Sequence, residues 1–315
     1  NYVDIGNDSS TDEPSQPRKV AANQTWFEYT PVNLISQEGV DSVLQHSKEF
    51  TFVDVGTSPN SLINEDNIAS NPDNLAAIDT LTIYRSLRYG ALLELILTDN
   101  RSYRSDHALP EEISGNLPLF FSPRVALPLE LVNELDAGRT ANDGDPNTFV
   151  FVGEIALNPR RNSPPGTMLG TRQKQWWKQT LIRSEARWKV WCNSVPLMRL
   201  LVNLSALEVD YPDIVLSADT WDGYPSERKE LMNHLIENDI RDVVSLSGDV
   251  HAHFAGTIAG DHDLAPEDQI IAAIELVTTA ISSISQFAAV ERMSRLEDPS
   301  ETEALLRNLI VYVDP

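Results

Sequence analysis

The sequence is poor in cysteine and in positive charge, and each shortage excludes a class of protein. Cys192 is the single cysteine among 315 residues, so we expect neither an internal disulfide nor a thiolate metal cluster. The 24 Lys and Arg residues are outnumbered by 47 Asp and Glu residues, which gives a net charge of -23. Such a charge repels nucleic acids and anionic membranes, so we expect no nucleic-acid scaffold role. The carboxylates either cover a solvated surface or collect divalent cations.

Long apolar segments and nucleotide-binding motifs are also missing. The longest apolar run, residues 270–284, contains Glu275 and several Ser and Thr residues, and it is too short to span a bilayer. The N-terminus lacks the pattern of a signal peptide, so any export signal would have been removed or would lie outside this sequence. The sequence contains no glycine-rich phosphate loop and no GxSxG motif. P-loop nucleotide hydrolysis and serine-esterase chemistry are therefore disfavoured.

Hydrophobic patterns predict an α/β fold. The last third of the chain alternates strand, helix and strand over Asp213–Ala218, Ser226–Asn238 and Asp242–Leu246. This order predicts a parallel crossover in an α/β sheet rather than a purely antiparallel sandwich. Further strands are predicted at residues 80–89, 92–98, 149–157, 188–195 and 271–278, and helices at residues 21–29, 37–50 and 171–184. Residues 1–20 and 105–147 have the composition of loops.

Three polar clusters follow predicted strands, at the edge where α/β sheets bind ligands. They are Asp99–Arg104, Asp219–Tyr224 and Gly248–His253. In the third cluster, Asp249, His251 and His253 alternate, so a continuing strand would point all three side chains in the same direction. Aspartate and histidine suit Zn, Fe or Mn, whereas additional oxygen ligands suit Ca or Mg. A loop with hydrogen-bonded histidines is the simpler alternative.

The other two clusters each have a structural explanation beside the functional one. Asp219 and Asp222 precede a predicted helix, so they are either helix caps or metal ligands near the third cluster. Arg101 and Arg104, which flank Tyr103, either bind a phosphate through charge-assisted hydrogen bonds or pair with some of the many carboxylates. The tryptophans between Arg172 and Lys189 are better explained by a core under a basic face than by nucleic-acid stacking.

Taken in order, these segments resemble the motifs of alkaline phosphatase D-like phosphoesterases. The resemblance runs from an Arg/Lys-Ala-rich helix near Arg18, through a YRxxxxG-like hairpin, to the final segment ELVTTAISS. The motifs between them are DNRSYR (99–104), LG with Gln173 and Trp176, WKVWCN (188–193), WDGY (221–224) and GDVH (248–251). Cys192 and Asn33 stand where the family usually has Gly and Arg.

The resemblance implies a metallophosphoesterase-like sandwich of mixed β-sheets flanked by helices, within the α/β class. It implies a multinuclear metal site at the strand ends, with Ca²⁺ and Fe³⁺ as the expected ions and Zn, Mn or Mg as alternatives. The family's upstream ligand motifs, a GSC-like strand end, GDYxY and DDHExxN, do not occur in this sequence. We therefore expect a partial catalytic domain, incomplete at both ends, with a polar loop at 1–20, a family-matching core at 21–283 and an incomplete segment at 284–315. The upstream segment would then be a separate chain or a part removed by processing.

The resemblance implies a periplasmic or secreted hydrolase that acts on phosphate mono- or diesters. Asp222, Asp249 and His251 are the predicted metal ligands. His253 is predicted either to act as the general acid or to orient the metal ligands, Asn193 is the second catalytic residue, and Tyr103 and Arg104 are the predicted substrate-binding residues. The rival hypothesis is a catalytically inactive binding or assembly subunit that retains the fold, because the upstream ligand motifs are missing.

Overall fold

The computed structural model describes residues 16–30, 72–109, 125–151, 154–202, 213–285, 300–301, 304 and 310–312. The helices of these ranges are α1 (Gln16–Tyr29), α2 (Pro72–Asp79), α3 (Leu129–Ala137), α4 (Gly170–Arg183) and α5 (Pro225–Glu237). Their strands are β1 (Arg85–Tyr89), β2 (Leu93–Leu97), β3 (Val125–Pro128), β4 (Thr148–Phe151), β5 (Glu154–Leu157), β6 (Trp188–Cys192), β7 (Leu200–Val202), β8 (Ile214–Ser217), β9 (Val243–Ser247), β10 (Phe254–Ala259), β11 (Ile271–Val277) and β12 (Ile310–Tyr312).

The larger sheet has six strands in the order β1-β2-β6-β9-β11-β10. The four central strands, β2, β6, β9 and β11, are parallel to one another, and the two edge strands are antiparallel to their neighbours. The carboxyl ends of the four parallel strands therefore meet at one edge of the sheet. Ligands of parallel α/β sheets bind beyond this edge.

Helices α4 and α5 cover one face of the larger sheet. Trp177 of α4 packs on Trp191 of β6 with ring centroids 4.8 Å apart, and Trp191 in turn meets Trp221 edge to face at 5.6 Å. All three tryptophans are fully buried. Leu231 and Leu235 of α5 join the same cluster, so the amphipathic stripes predicted for both helices face the sheet.

The opposite face of this sheet is more open. Along β11, Ala273, Glu275 and Val277 are buried, whereas Ile274 and Leu276 are each 47% exposed. Leu276 pairs in register with Leu246 of β9, which is 40% exposed. Buried and exposed side chains therefore alternate along β11, and apolar side chains lie on both faces of the strand.

A second, antiparallel sheet has the strand order β12-β7-β8-β3. Strands β3, β7 and β8 pack with α3 around a separate cluster that includes Leu127, Leu131, Leu201 and Val215. The mixed sheets and flanking helices confirm the predicted α/β fold class. The hairpin β1–β2 also confirms the predicted strand pair at residues 80–98, although its first strand begins only at Arg85.

Several sequence predictions about the elements were wrong. Strands β8 and β9 are joined through α5 but belong to different sheets, so the predicted crossover within one sheet does not form. The predicted strand at 149–157 is the two-stranded hairpin β4–β5, and the region 105–147 contains β3 and α3 rather than loops alone. Helix α1 begins at Gln16, inside the predicted N-terminal loop. The helix predicted at 37–50 lies outside the described residues.

Candidate functional site at the strand ends

The loops after β2, β6 and β9 meet at the carboxyl edge of the larger sheet. The backbone N–H of Asn193, just after β6, donates to the Leu246 carbonyl of β9 at 2.9 Å. The N–H of Thr98, just after β2, donates to the Cys192 carbonyl at 3.4 Å. The first and third predicted clusters are therefore on one edge, as their positions after strands predicted.

The loop after β2 is fixed from α4. Gln173 Oε1 accepts from the Asp99 N–H at 2.7 Å, and Gln173 Nε2 donates to the Asp99 carbonyl at 2.9 Å. The Asp99 carboxylate accepts from the N–H groups of Arg101 and Ser102 at 3.0 and 2.8 Å. Asp99 and Gln173 are both buried, so these hydrogen bonds hold the backbone of the loop in one conformation at the site.

The Asn193 side chain lies between three loops. Its Oδ1 accepts from Asn100 Nδ2 at 2.7 Å and from Trp221 Nε1 at 3.2 Å. Its Nδ2 donates to the Val195 carbonyl at 2.7 Å. Asn193 is 5% exposed, so the amide is a buried and well-oriented group next to the loop after β9. Its catalytic role stays a prediction.

Arg104 is held in an ion pair, the alternative that the sequence left open. Asp219 Oδ1 accepts from Arg104 at 2.8 Å, and its Oδ2 accepts from Arg101 at 3.0 Å. The imidazole Nε2 of His107 lies 2.9 Å from the same Oδ1. Burial acts to raise the pKa of Asp219, but the His107 hydrogen bond and the two guanidinium charges hold that pKa well below its usual range. The role of Arg104 in substrate binding stays a prediction.

Tyr103 lies in an aromatic cluster beneath the loop. Its ring meets Tyr84 edge to face at 5.8 Å, and Ile78 and Trp176 pack in the same cluster. The residue is 7% exposed, and burial is the main cause that raises the pKa of its hydroxyl. These contacts give Tyr103 a packing role, and its predicted contact with substrate is not tested by them.

Asp222 is part of a buried ion pair. Its Oδ1 accepts from Arg228 at 2.7 Å, and both side chains are 2% exposed. Its Oδ2 accepts from the Leu200 N–H at 2.9 Å. The neighbouring Gly223 is required for close packing, because a Cβ there would overlap the Ala218 carbonyl. The described contacts therefore give Asp222 a structural role, and its role as a metal ligand stays a prediction.

The Gly248–His253 segment differs from the geometry that alternation predicted. Strand β9 ends at Ser247, and the backbones of Asp249 and His251 have φ values of 74° and 58°. These residues are in the left-handed region, so the prediction of a continuing strand with three parallel side chains was wrong. Asp249, His251 and His253 are all exposed. The segment is a tight connection from β9 into β10.

His251 has one ring nitrogen in a fixed hydrogen bond. Its Nδ1 lies 2.8 Å from the Ile284 carbonyl in the segment after β11. A carbonyl only accepts, so Nδ1 carries the proton and the neutral ring keeps a lone pair on Nε2. Metal-binding histidines commonly have this arrangement. The orientation of the His251 ring therefore fits the requirements of a metal ligand.

The described donors do not form a complete metal site. Over the described ranges, no group of three or more His, Cys, Asp or Glu side chains is placed to hold a metal ion. Asp222 is engaged by Arg228, while Asp249 and His251 lie on an exposed turn. The predicted ligands are thus not brought together as one set by the described part of the chain.

Two residues of this edge were not predicted as site residues. Asp219 was considered with Asp222 as a helix cap or a metal ligand but was not among the predicted site residues, and its three partners come from a loop about 115 positions earlier in the chain. Asn100 lies inside the DNRSYR motif, at a position where the family motif does not specify a residue. Its only sequence signal is its place just after a buried strand.

No helix in the described ranges is long and apolar enough to cross a membrane.

Comparisons with known proteins identify the family to which the chain belongs. The family model of PhoD-like phosphatases matches residues 1–309. Alkaline phosphatase D of Bacillus subtilis (strain 168) is 27% identical over 203 residues, which is 64% of this chain and 26% of that protein. A solved structure of PhoD matches with a TM-score of 0.50 at 23% identity, over 84% of this chain and 34% of that one. It supports the metallophosphoesterase-like fold. The chain thus spans about a quarter to a third of the relatives it matches, and it belongs to the PhoD-like phosphatase family.

Proposed function

We propose that the chain is part of a phosphoric ester hydrolase whose substrate binds at the carboxyl edge of β2, β6 and β9. The observation that carries this proposal is the exposed Gly248–His253 turn beside the buried, oriented amide of Asn193, in a chain that matches the family model over residues 1–309. Exposed imidazoles and a carboxylate at such an edge are groups that hydrolytic sites use. Phosphate mono- and diesters are both candidate substrates.

The proposal includes dependence on metal ions, with Ca²⁺ and Fe³⁺ expected and Zn, Mn or Mg as alternatives. His251 and Asp249 are the proposed ligands on this chain, and the hydrogen bond of His251 Nδ1 to the Ile284 carbonyl, which leaves Nε2 as the ligating nitrogen, supports that role. The described donors are too few for a complete site. The remaining donors would come from residues outside the described ranges or from an upstream segment supplied as a separate chain.

The residues of this chain would have distinct parts in the reaction. His253 is exposed on the same turn as His251, where it would protonate the leaving oxygen. Asn193 would orient the phosphoryl group. Arg104 would have a weaker part in binding, because its guanidinium already donates to Asp219, and Tyr103 would support the loop from below. A periplasmic or secreted location, which the family resemblance implies, is part of the proposal.

A catalytically inactive binding or assembly subunit is the second candidate function. The observation that favours it is the scarcity of donors, since the described residues contain no set of three that is placed to hold a metal. This candidate predicts a folded protein that binds partners but hydrolyses no ester. The two functions therefore differ in an assay that measures product.

The test is hydrolysis of p-nitrophenyl phosphate and of bis(p-nitrophenyl) phosphate by protein whose full polypeptide content has been established by intact mass. We expect release of nitrophenol from at least one ester, loss of that activity after chelation, and recovery after Ca²⁺ and Fe³⁺ are restored. Absence of activity with both esters, in material that contains the upstream segment, would favour the inactive subunit.

A further inference from the structure

The side-chain amides of Asn100 and Asn193 are linked to two buried indoles. Trp191 Nε1 donates to Thr98 Oγ1 at 2.9 Å, and that hydroxyl donates to Asn100 Oδ1 at 2.9 Å. Asn100 Nδ2 donates to Asn193 Oδ1, which also accepts from Trp221 Nε1. One chain of hydrogen bonds therefore connects the two indoles through both amides.

The indoles determine which way each amide points. An indole N–H can only donate, so the Asn193 atom that faces Trp221 has to be the oxygen. Because Asn193 Oδ1 can only accept, Asn100 faces it with Nδ2, and Asn100 Oδ1 therefore faces Thr98. The Thr98 hydroxyl accepts from Trp191 Nε1 and donates to that oxygen. Both amide orientations thus follow from donor and acceptor chemistry.

A count of hydrogen-bonding capacity leaves one donor on Asn193. Both lone pairs of Oδ1 are used, by Asn100 and Trp221, and one Nδ2 hydrogen is used by the Val195 carbonyl. Among the described residues, the second Nδ2 hydrogen has no acceptor. A donor of this kind suits a phosphoryl oxygen, whereas a metal ion would need the oxygen that is already occupied.

We propose that Asn100 and Trp221 are positioning residues that lock Asn193 as a hydrogen-bond donor to a phosphoryl oxygen and exclude it as a metal ligand. The proposal rests on the proposed function for its ligand class. Trp221 and Asn100 are 0% and 2% exposed, so they act through Asn193 and not through contact with substrate. Without them, the amide could rotate and present oxygen to an anion.

A double-mutant cycle measured with inorganic phosphate tests this inference. The affinity for phosphate is determined by calorimetry for the wild-type protein, Trp221→Phe, Asn193→Ala and the double variant. We expect Trp221→Phe, which removes the indole N–H, to weaken binding by about threefold to tenfold in the wild-type background. In the Asn193→Ala background the same change should have almost no effect, because the residue it positions is gone.

Trp188→Phe is the matched control, since Trp188 is 42% exposed at the opposite end of β6, and its affinity should stay at the wild-type value. Equal losses in both backgrounds, no loss in either, or no binding of phosphate by the wild type would each overturn the inference. If Trp221→Phe does not fold, Asn100→Leu replaces it in the cycle, because Leu is similar in shape, adds no charge near phosphate and cannot donate to Asn193. A protein that binds phosphate with the expected cycle but hydrolyses no ester would contradict the proposed function and leave this inference standing.

Discussion

The two sides of the strand-end edge are built in opposite ways. On the side of β2, β6 and β8, the polar residues are buried and paired, with Asn100, Asn193 and Asp222 at 2%, 5% and 2% exposure. On the side of β9, Asp249 and His251 are exposed and occupy left-handed backbone positions. On the first side the described polar groups are used in contacts inside the protein, apart from the second Nδ2 hydrogen of Asn193. The second retains donors and acceptors that can serve a ligand.

This difference separates scaffold from reactive groups within a single set of motifs. A buried charge is tolerated only when it is paired and hydrogen-bonded, and the carboxylate of Asp222 is both. The charged side chains of an exposed turn need no such partner, so they can bind a ligand or take part in a reaction. We therefore expect substitutions of the paired carboxylates on the buried side to change mainly stability, and substitutions on the exposed turn to change mainly activity.

The largest effect on stability is expected for Asp222→Ala. The substitution leaves the Arg228 guanidinium buried without its partner, which costs about 3–5 kcal/mol of the free energy of unfolding. Urea titration followed by tryptophan fluorescence measures this loss. Arg241→Ala is the control, because Arg241 pairs with Asp239 at 80% and 76% exposure and its loss should alter stability little. Equal losses in the two variants would contradict the assignment of Asp222 to the scaffold.

A smaller loss is expected for Asp219→Ala. Three cationic or polar partners, Arg101, Arg104 and His107, lose their acceptor, but Asp219 itself is 29% exposed, so water replaces part of the contact. We expect about 1–3 kcal/mol by urea titration. Asp219→Asn retains an acceptor and should recover part of that loss. A variant as stable as the wild type would show that this cluster does not hold the loop.

The third effect depends on pH and comes from His262. Burial, with the charges of Arg228 and Arg199, lowers the pKa of His262 from 6.5 to about 2. Above pH 6.5 the ring is neutral in the folded and unfolded states and contributes nothing. Below pH 6.5 the unfolded chain binds a proton that the folded chain refuses, so stability falls, by about 1.4 kcal/mol at pH 5.5. His262→Gln should remove this part of the decline between pH 7.5 and 5.5, and an unchanged decline would contradict it.

The smallest effect on stability is expected on the exposed turn. His251→Ala removes one hydrogen bond to the Ile284 carbonyl at the surface, so the free energy of unfolding should change by about 0.5 kcal/mol or less. The metal content of the purified variant should fall relative to the wild type if His251 is a ligand. His234→Ala, a change of the same kind on α5, should leave the metal content unchanged.

Local features of the fold were predictable from the sequence, and long-range ones were not. Helix α4 lies within one residue of the predicted 171–184 because Trp177 and Leu181 mark its buried face. Helix α3 was missed because its apolar run is short and begins directly after Pro128. The sheet membership of β8 depends on partners far away in the sequence, and a crossover pattern does not encode it.

The same limit applies to the site. The alternation of Asp and His in the sequence identified the polar segment after β9 as a candidate site. The positive φ values of Asp249 and His251 show that this segment is a turn and not a strand. Asp219 and Asp222 both precede the same helix in the sequence, and their partners decide that Asp219 holds a loop and Asp222 pairs with Arg228 of α5. The choice between a capping, paired or ligating carboxylate is made by residues that are distant in the chain.

The rate of phosphate ester hydrolysis by His251→Ala, measured beside Asp219→Asn under conditions where both variants are folded, tests the central claim most directly. The account predicts that His251→Ala loses most of the wild-type rate while its urea midpoint is unchanged, and that Asp219→Asn shifts the urea midpoint but keeps most of the rate. A fully active His251→Ala variant would contradict the assignment of the reaction to the exposed turn after β9.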